Sequence, residues 1–285
     1  MIDIAKKCIR NATYKLNEFK SSKHLNIKVD YENKLNNFGD VLNPYLCKFI
    51  FEDRIDVIRI DSKYFNNSYY MAIGSILQRA NTNATIWGSG FISRDSILKS
   101  NPKKILAVRG KKTYERLVEL GIKDLPNVFG DPALLLPKFY KPNIKKKYKV
   151  GLMPHYVDKM NSWVLKEKEK ECVLFIDVQN PNPLNVVNQM LSCEVILSSS
   201  LHGLIVSDAY NIPNTWIRFS NLIGGGDFKY HDYFSTTSFK KSVPFIIDID
   251  TDIKKVIKDA EVRKLETNLE ILLEVIINDV NEFDR

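Results

Sequence analysis

The chain has 285 residues, 44% of them hydrophobic and 27% charged, which excludes a disordered chain and is long enough for two α/β units of ordinary domain size. Its net charge of +8 suits an anionic partner, but the 42 Lys and Arg are scattered and no RNP-like aromatic motif or zinc-finger spacing accompanies them, so nucleic acid is not expected as a partner. Cys8, Cys47, Cys172 and Cys193 stand apart without CxxC pairs and read as reduced structural thiols.

Residues 2–20 place Ala5, Cys8, Ile9, Ala12, Leu16 and Phe19 at helical spacing, with Lys6, Lys7, Arg10 and Lys15 elsewhere on the wheel. This amphipathic basic helix is expected to pack on its own domain, with docking on an anionic membrane surface as the second reading. The N-terminus lacks the apolar core of a signal peptide, and no uncharged apolar run is long enough to span a bilayer. The expected location is therefore the cytoplasm, with peripheral contact at the inner face of the membrane through residues 2–20 as the second reading.

Asn36-Asn37-Phe38-Gly39-Asp40 precedes the apolar segment 41–50, so Asp40 is expected near the start of a helix; taken alone, these residue types are best explained by a plain N-cap turn. Short apolar runs at 54–60, 69–73, 84–87, 105–108 and 127–129 read as strands, and 111–120 as a helix closed by Gly121. Such alternation implies a parallel sheet covered by helices. The segment 138–147 breaks the pattern with Pro142-Asn143 and a lysine run and is taken as an interdomain linker. Beyond it, strands at 149–153, 173–176, 195–197 and 214–217 alternate with helices near 184–192 and 201–210, and the tail 252–285 reads as helical with an apolar stripe that includes Ile253, Val256, Leu265 and Leu272. The layout is an N-terminal α/β domain over 1–140, a C-terminal α/β domain over 148–250 and a helical segment over 251–285, with no internal sequence repeat. A ligand would lie in the crevice at the carboxyl ends of the strands.

Ser198-Ser199-Ser200-Leu201-His202-Gly203 carries the strongest chemical signal. A strand that runs through small polar residues into a helix presents free N–H groups and a positive helix end, which suits an anion, and His202 adds a side chain that can donate and accept a proton. Gly203 admits close approach by a ligand or a neighbouring backbone. Trp87-Gly88-Ser89-Gly90, Val108-Arg109-Gly110, Gly130-Asp131-Pro132-Ala133 and Pro154-His155-Tyr156 also follow expected strands. Arg109 offers a fixed fork of donors for a carboxylate or phosphate, with a salt bridge to a neighbouring acid as the equal alternative.

Taken in order, Asn-Phe-Gly-Asp, Trp-Gly-Ser-Gly, Val-Arg-Gly, Gly-Asp-Pro-Ala, Pro-His-Tyr and Ser-Leu-His-Gly resemble the polysaccharide pyruvyl transferase family over residues 36–236, and the segment 228–234 resembles its exopolysaccharide-assembly branch. The resemblance implies two Rossmann-like domains similar to the GT-B glycosyltransferases, and transfer of enolpyruvate from phosphoenolpyruvate to two hydroxyls of a sugar or lipid-linked oligosaccharide, giving a cyclic ketal. It makes His202 the catalytic or phosphate-contacting histidine and puts Arg109 in the donor pocket with Ser200 and Gly203. Many family members carry Arg where this chain has Ser200, and Arg218 and Lys229 are the nearby cations to replace it. Asp40 or Asp131 would be the base, and Asn37, Gly39, Ser89 and His155 are assigned to the acceptor or cleft. No metal or cofactor is expected beyond the donor substrate, because no His/Cys/Asp cluster has ligand spacing. The alternatives are a nucleotide-sugar glycosyltransferase on the same fold and an inactive carbohydrate-binding protein of a polysaccharide pathway.

Overall fold

A computed structural model describes residues 25–32, 35–239 and 243–283. The basic helix expected over 2–20 lies outside the described residues.

Two five-stranded parallel sheets account for all of the strands described. The first contains β1 (Leu25–Asp30), β2 (Ile55–Ile60), β3 (Tyr69–Met71), β4 (Ala84–Trp87) and β5 (Lys104–Ala107), in the order β2-β1-β3-β4-β5. The second contains β6 (Tyr148–Met153), β7 (Val173–Phe175), β8 (Cys193–Ser198), β9 (Asn214–Arg218) and β10 (Phe245–Ile246), in the order β10-β9-β8-β6-β7. Renumbered from its own first strand and read from the opposite edge, the second sheet has the same 2-1-3-4-5 order as the first. Each sheet therefore reverses direction once, between its first and third strands, and leaves a crevice at their carboxyl ends.

Helices cover the sheets as the alternation demands. α1 (Phe38–Phe51) buries Phe38, Leu42, Leu46 and Ile50, which recur every four residues along one face. α2 (Lys111–Glu119) ends before Gly121, whose φ of +82° is the left-handed conformation that favours glycine after a helix. The turn 132–135 and the short α3 (Leu136–Phe139) bury Ala133 to Leu136 in a core shared with α1 and with α6 (Leu201–Ala209). Between α3 and β6 the chain carries no helix or strand until Tyr148. α4 (Ser162–Glu167), α5 (Pro183–Leu191) and α7 (Phe228–Phe234) complete the second half.

The structure departs from the sequence reading at three places. The run 127–129 makes a single parallel bridge, Val108 to Phe129, before Gly130 and Pro132 turn the chain away. β1 was not among the expected strands. The tail is two helices, α8 (Ile253–Lys258) and α9 (Leu269–Phe283), because the backbone between them is used elsewhere. There Glu261 exchanges both backbone hydrogen bonds with Asn214, and the buried Arg263 pairs with Asp208 at 3.1 Å. α9 returns to the first sheet, where Trp87 Nε1 donates to the Leu272 carbonyl at 2.7 Å and the Tyr70 hydroxyl donates to Asp279 at 2.7 Å. Among the described residues no helix is long and apolar enough to cross a membrane.

Candidate functional site

The two crevices open on one cleft of about 190 Å³. Glu32, Asn37 and Asp40 follow β1 and Ser75 follows β3; His155 follows β6, and Ser200 and His202 follow β8. Lys229, from the first turn of α7, completes the lining. The N-terminal ends of α1 and α6 meet here. At Gly39 a Cβ would fall 1.9 Å from His202 Nδ1, so only glycine lets the imidazole sit against α1.

His202 is 6% exposed, and its Nε2 faces Asp131 Oδ2 at 3.5 Å. Neither atom has a hydrogen-bond partner among the described residues. The other oxygen of Asp131 accepts from the Ala133 amide at 3.0 Å, capping the turn that follows. Asp131 is fully buried behind the imidazole and does not line the cleft, so its place is that of a group that orients His202.

Asp40 does line it. Burial pushes its carboxyl up to about 6, and the Asn37 amide, donating at 2.7 Å, holds it from rising further. Asn43 ties the same turn of α1 to the strand-end segment after β3, donating to the Asp40 and Ile73 carbonyls and accepting from the Ile73 amide. On the opposite wall burial lowers Lys229 to about 8, helped by the nearby Arg109 charge. Its ammonium donates to the Gly224 carbonyl at 3.2 Å, and among the described residues it has no carboxylate within ion-pairing distance. His155 is lowered to about 4, mainly by burial, and is a neutral imidazole at neutral pH. Its backbone amide donates to Ser199 Oγ, whose hydroxyl donates to the buried Asp158.

Four further expected site residues lie outside the lining of the cleft. Arg109 is fully buried and fills its fork with Asp232 at 2.8 Å, Ser75 Oγ at 2.5 Å and the Phe91 carbonyl at 2.7 Å, so the salt-bridge alternative holds and it reaches the cleft only through Ser75. Ser89 is equally buried and donates to the Gly74 carbonyl at 2.9 Å. Both follow strands that lie one and two places away from the reversal point, which sets them behind the lining. Gly203 packs α6 on β8: a Cβ there would lie 2.2 Å from Ser198 Oγ. Arg218 pairs with Asp227 and lines a neighbouring pocket of about 250 Å³ with Trp216 and Tyr230.

A family model described as polysaccharide pyruvyl transferase matches residues 13–221. The chain belongs to that family. It is 32% identical over 220 residues to the uncharacterized protein L143 of Acanthamoeba polyphaga mimivirus, covering 75% of this chain and 76% of that one. It is 27% identical over 239 residues to the succinoglycan biosynthesis protein ExoV of Rhizobium meliloti, covering 81% of this chain and 70% of that one. A functionally uncharacterized protein of Klebsiella pneumoniae, 14% identical, is similar with a TM-score of 0.45 over 86% of this chain and 98% of its own.

Within this family member the ordered motifs fall into two sets. Asn-Phe-Gly-Asp, Pro-His-Tyr and Ser-Leu-His-Gly supply the lining, whereas Trp-Gly-Ser-Gly, Val-Arg-Gly and Gly-Asp-Pro-Ala hold it from behind. Glu32, Ser75 and Asp232 escaped the sequence reading. Asp232 could have been found from Arg109, since a buried guanidinium needs a carboxylate and one stands in the family-like segment 228–234. Among the described residues no group of three or more His, Cys, Asp and Glu is close enough to hold a metal ion.

Proposed function

We propose that this protein transfers the enolpyruvyl group of phosphoenolpyruvate to two hydroxyls of one sugar, forming a cyclic ketal, in a cleft between two α/β units arranged as in GT-B enzymes. The reading rests on the family membership and on one observation: Lys229, a buried cation with no carboxylate partner among the described residues, faces the same cleft as the His202 end of α6. A buried charge needs compensation, and an anionic donor supplies it.

The chemistry then follows from the two walls. A sugar hydroxyl adds to the enol carbon as Asp40 takes its proton, while His202 protonates the methylene carbon to a methyl group. The bond from the former enol carbon to the phosphate oxygen breaks, and inorganic phosphate leaves. The second hydroxyl forms its bond to the same carbon, its proton departing with the phosphate. Asp131 keeps the imidazole turned toward the cleft, and Lys229 holds the donor's negative charge.

Incubation with phosphoenolpyruvate and a surface-polysaccharide repeat unit should release phosphate and add one pyruvate ketal to the sugar, read by mass spectrometry. Consumption of a nucleotide sugar with phosphoenolpyruvate left intact would favour a glycosyltransferase.

Lys229 rather than Arg218 stands in for the arginine missing at Ser200. Lys229→Met should raise the KM for phosphoenolpyruvate by about tenfold or more, because a charge-assisted contact is lost, whereas Arg218→Ala, whose guanidinium is engaged by Asp227, should change it by less than about threefold. The pH profile carries the same assignment. Asp40 accepts a proton only when ionised, so kcat/KM should rise through about 6, and Lys229 binds an anion only when protonated, so it should fall through about 8. Lys229→Arg should move the upper limb toward higher pH; a limb that stays near 8 would assign it to another group.

A further inference from the structure

The two walls of the cleft differ in charge. The first half of the chain contributes Glu32, Asn37, Asp40 and Ser75, whose ionisable members are both carboxylates. The second half contributes His155, His202 and Lys229 and, among the described residues, no carboxylate. Behind the first wall Asp30 is fully buried and accepts from Arg79, whose guanidinium also stands 3.7 Å from Glu32. One guanidinium thus serves Asp30 and Glu32, and Asp40 stands beside them in the first turn of α1, offsetting the positive end of that helix. The wall stays negative. Glu32 keeps about a third of its side chain accessible, and the buried Lys229, whose ammonium donates to the Gly224 carbonyl, stands on the opposite wall, so a ligand atom has a defined place between the walls.

The phosphate and carboxylate of the proposed donor are repelled by this first wall and attracted by the second, which leaves the first wall to the other substrate. Sugar hydroxyls are good donors to carboxylates and to the Asn37 amide oxygen. A second negative group brought against Glu32 and Asp40 meets like charge away from bulk water.

We propose that the Glu32, Asn37 and Asp40 wall is the acceptor subsite and that it selects an uncharged sugar: the residue receiving the ketal is a neutral glycoside, and uronic acids and sulfated or phosphorylated residues are rejected there. The term acceptor rests on the pyruvyl-transfer reading, whereas the preference for a neutral sugar rests on the charge of the wall. The restriction applies to the reacting residue and not to a distant lipid diphosphate.

Full-length protein, with and without phosphoenolpyruvate, is titrated with methyl β-glucoside and methyl β-glucuronide, and with the matching galactose pair, and binding is followed by saturation-transfer NMR. The neutral member of each pair should bind about tenfold or more tightly, and Glu32→Gln should narrow the gap to about threefold by strengthening uronide binding. Equal or tighter binding of the uronides, a gap unchanged in Glu32→Gln, or no binding of either glycoside at millimolar concentration would each overturn the assignment. Because binding is read rather than turnover, failure to release phosphate from phosphoenolpyruvate would remove the proposed reaction without deciding the charge preference of the wall.

Discussion

Gly39→Ala should lower kcat by about 100- to 1,000-fold, nearly as much as His202→Ala, although it deletes no catalytic group. The added Cβ would lie 1.9 Å from Nδ1 and 2.3 Å from Cε1 of His202, far inside contact distance. The imidazole can swing away, since it is the movable end of a side chain, whereas the backbone of α1 is held by the Phe38 amide donating to the Val178 carbonyl at 2.7 Å. Alanine favours the helix over glycine by about 1 kcal/mol, so the fold itself should not suffer. The double variant decides the cause: if both changes act through the ring position, Gly39→Ala combined with His202→Ala should be no slower than His202→Ala alone. Multiplicative losses, or full activity in Gly39→Ala with an unchanged melting temperature, would show that the packing of His202 on α1 is not what catalysis uses.

The second half of the molecule was legible in the sequence because β6 and β8 carry the apolar runs Val150-Gly151-Leu152-Met153 and Val195-Ile196-Leu197, which are largely buried and lead into Pro154-His155 and Ser198-Ser199-Ser200. Ser200, His155 and His202 were placed at strand ends and do line the cleft. β1 is different. Its Leu-Asn-Ile-Lys-Val-Asp alternates apolar and polar residues, and it falls between a basic helical pattern and a turn. Without it the first sheet has no visible reversal point, and Glu32 and Ser75 have no reason to be named. Strand order is a long-range property that spacing along the chain does not encode, so the shared 2-1-3-4-5 arrangement left no trace as a sequence repeat. Depth was hidden for the same reason: Arg109 looks like a ligand fork from its position after a strand, and only the placement of β5 at the sheet edge, under α7, gives that fork to Asp232. Lys229 follows no strand at all. It enters the cleft because α7 is held to the start of α2, where Asp232 accepts from the Thr113 amide and hydroxyl.

Asp40→Asn should reduce kcat by about 100-fold or more and at the same time make the protein more stable at neutral pH. The carboxyl is raised from 3.8 to about 6 in the folded chain, chiefly by burial, so the folded state holds its proton more firmly than the unfolded chain does. Below about 4 the group is protonated in both states and costs nothing. As the pH rises toward 6 the unfolded chain ionises first and gains stability relative to the fold, and above about 6 the whole penalty is present. Roughly two pKa units at 1.36 kcal/mol each set that penalty at about 1–3 kcal/mol. The amide in Asp40→Asn cannot ionise, and its oxygen still accepts from Asn37, so the variant should exceed the wild type by about that amount at pH 7.5 and by nothing near pH 4, as read from paired denaturant titrations. A carboxylate kept at a site where it opposes folding is expected of a group retained for proton transfer. If the variant instead loses stability at pH 7.5, Asp40 is a structural cap of α1, and the base must be sought elsewhere in the cleft.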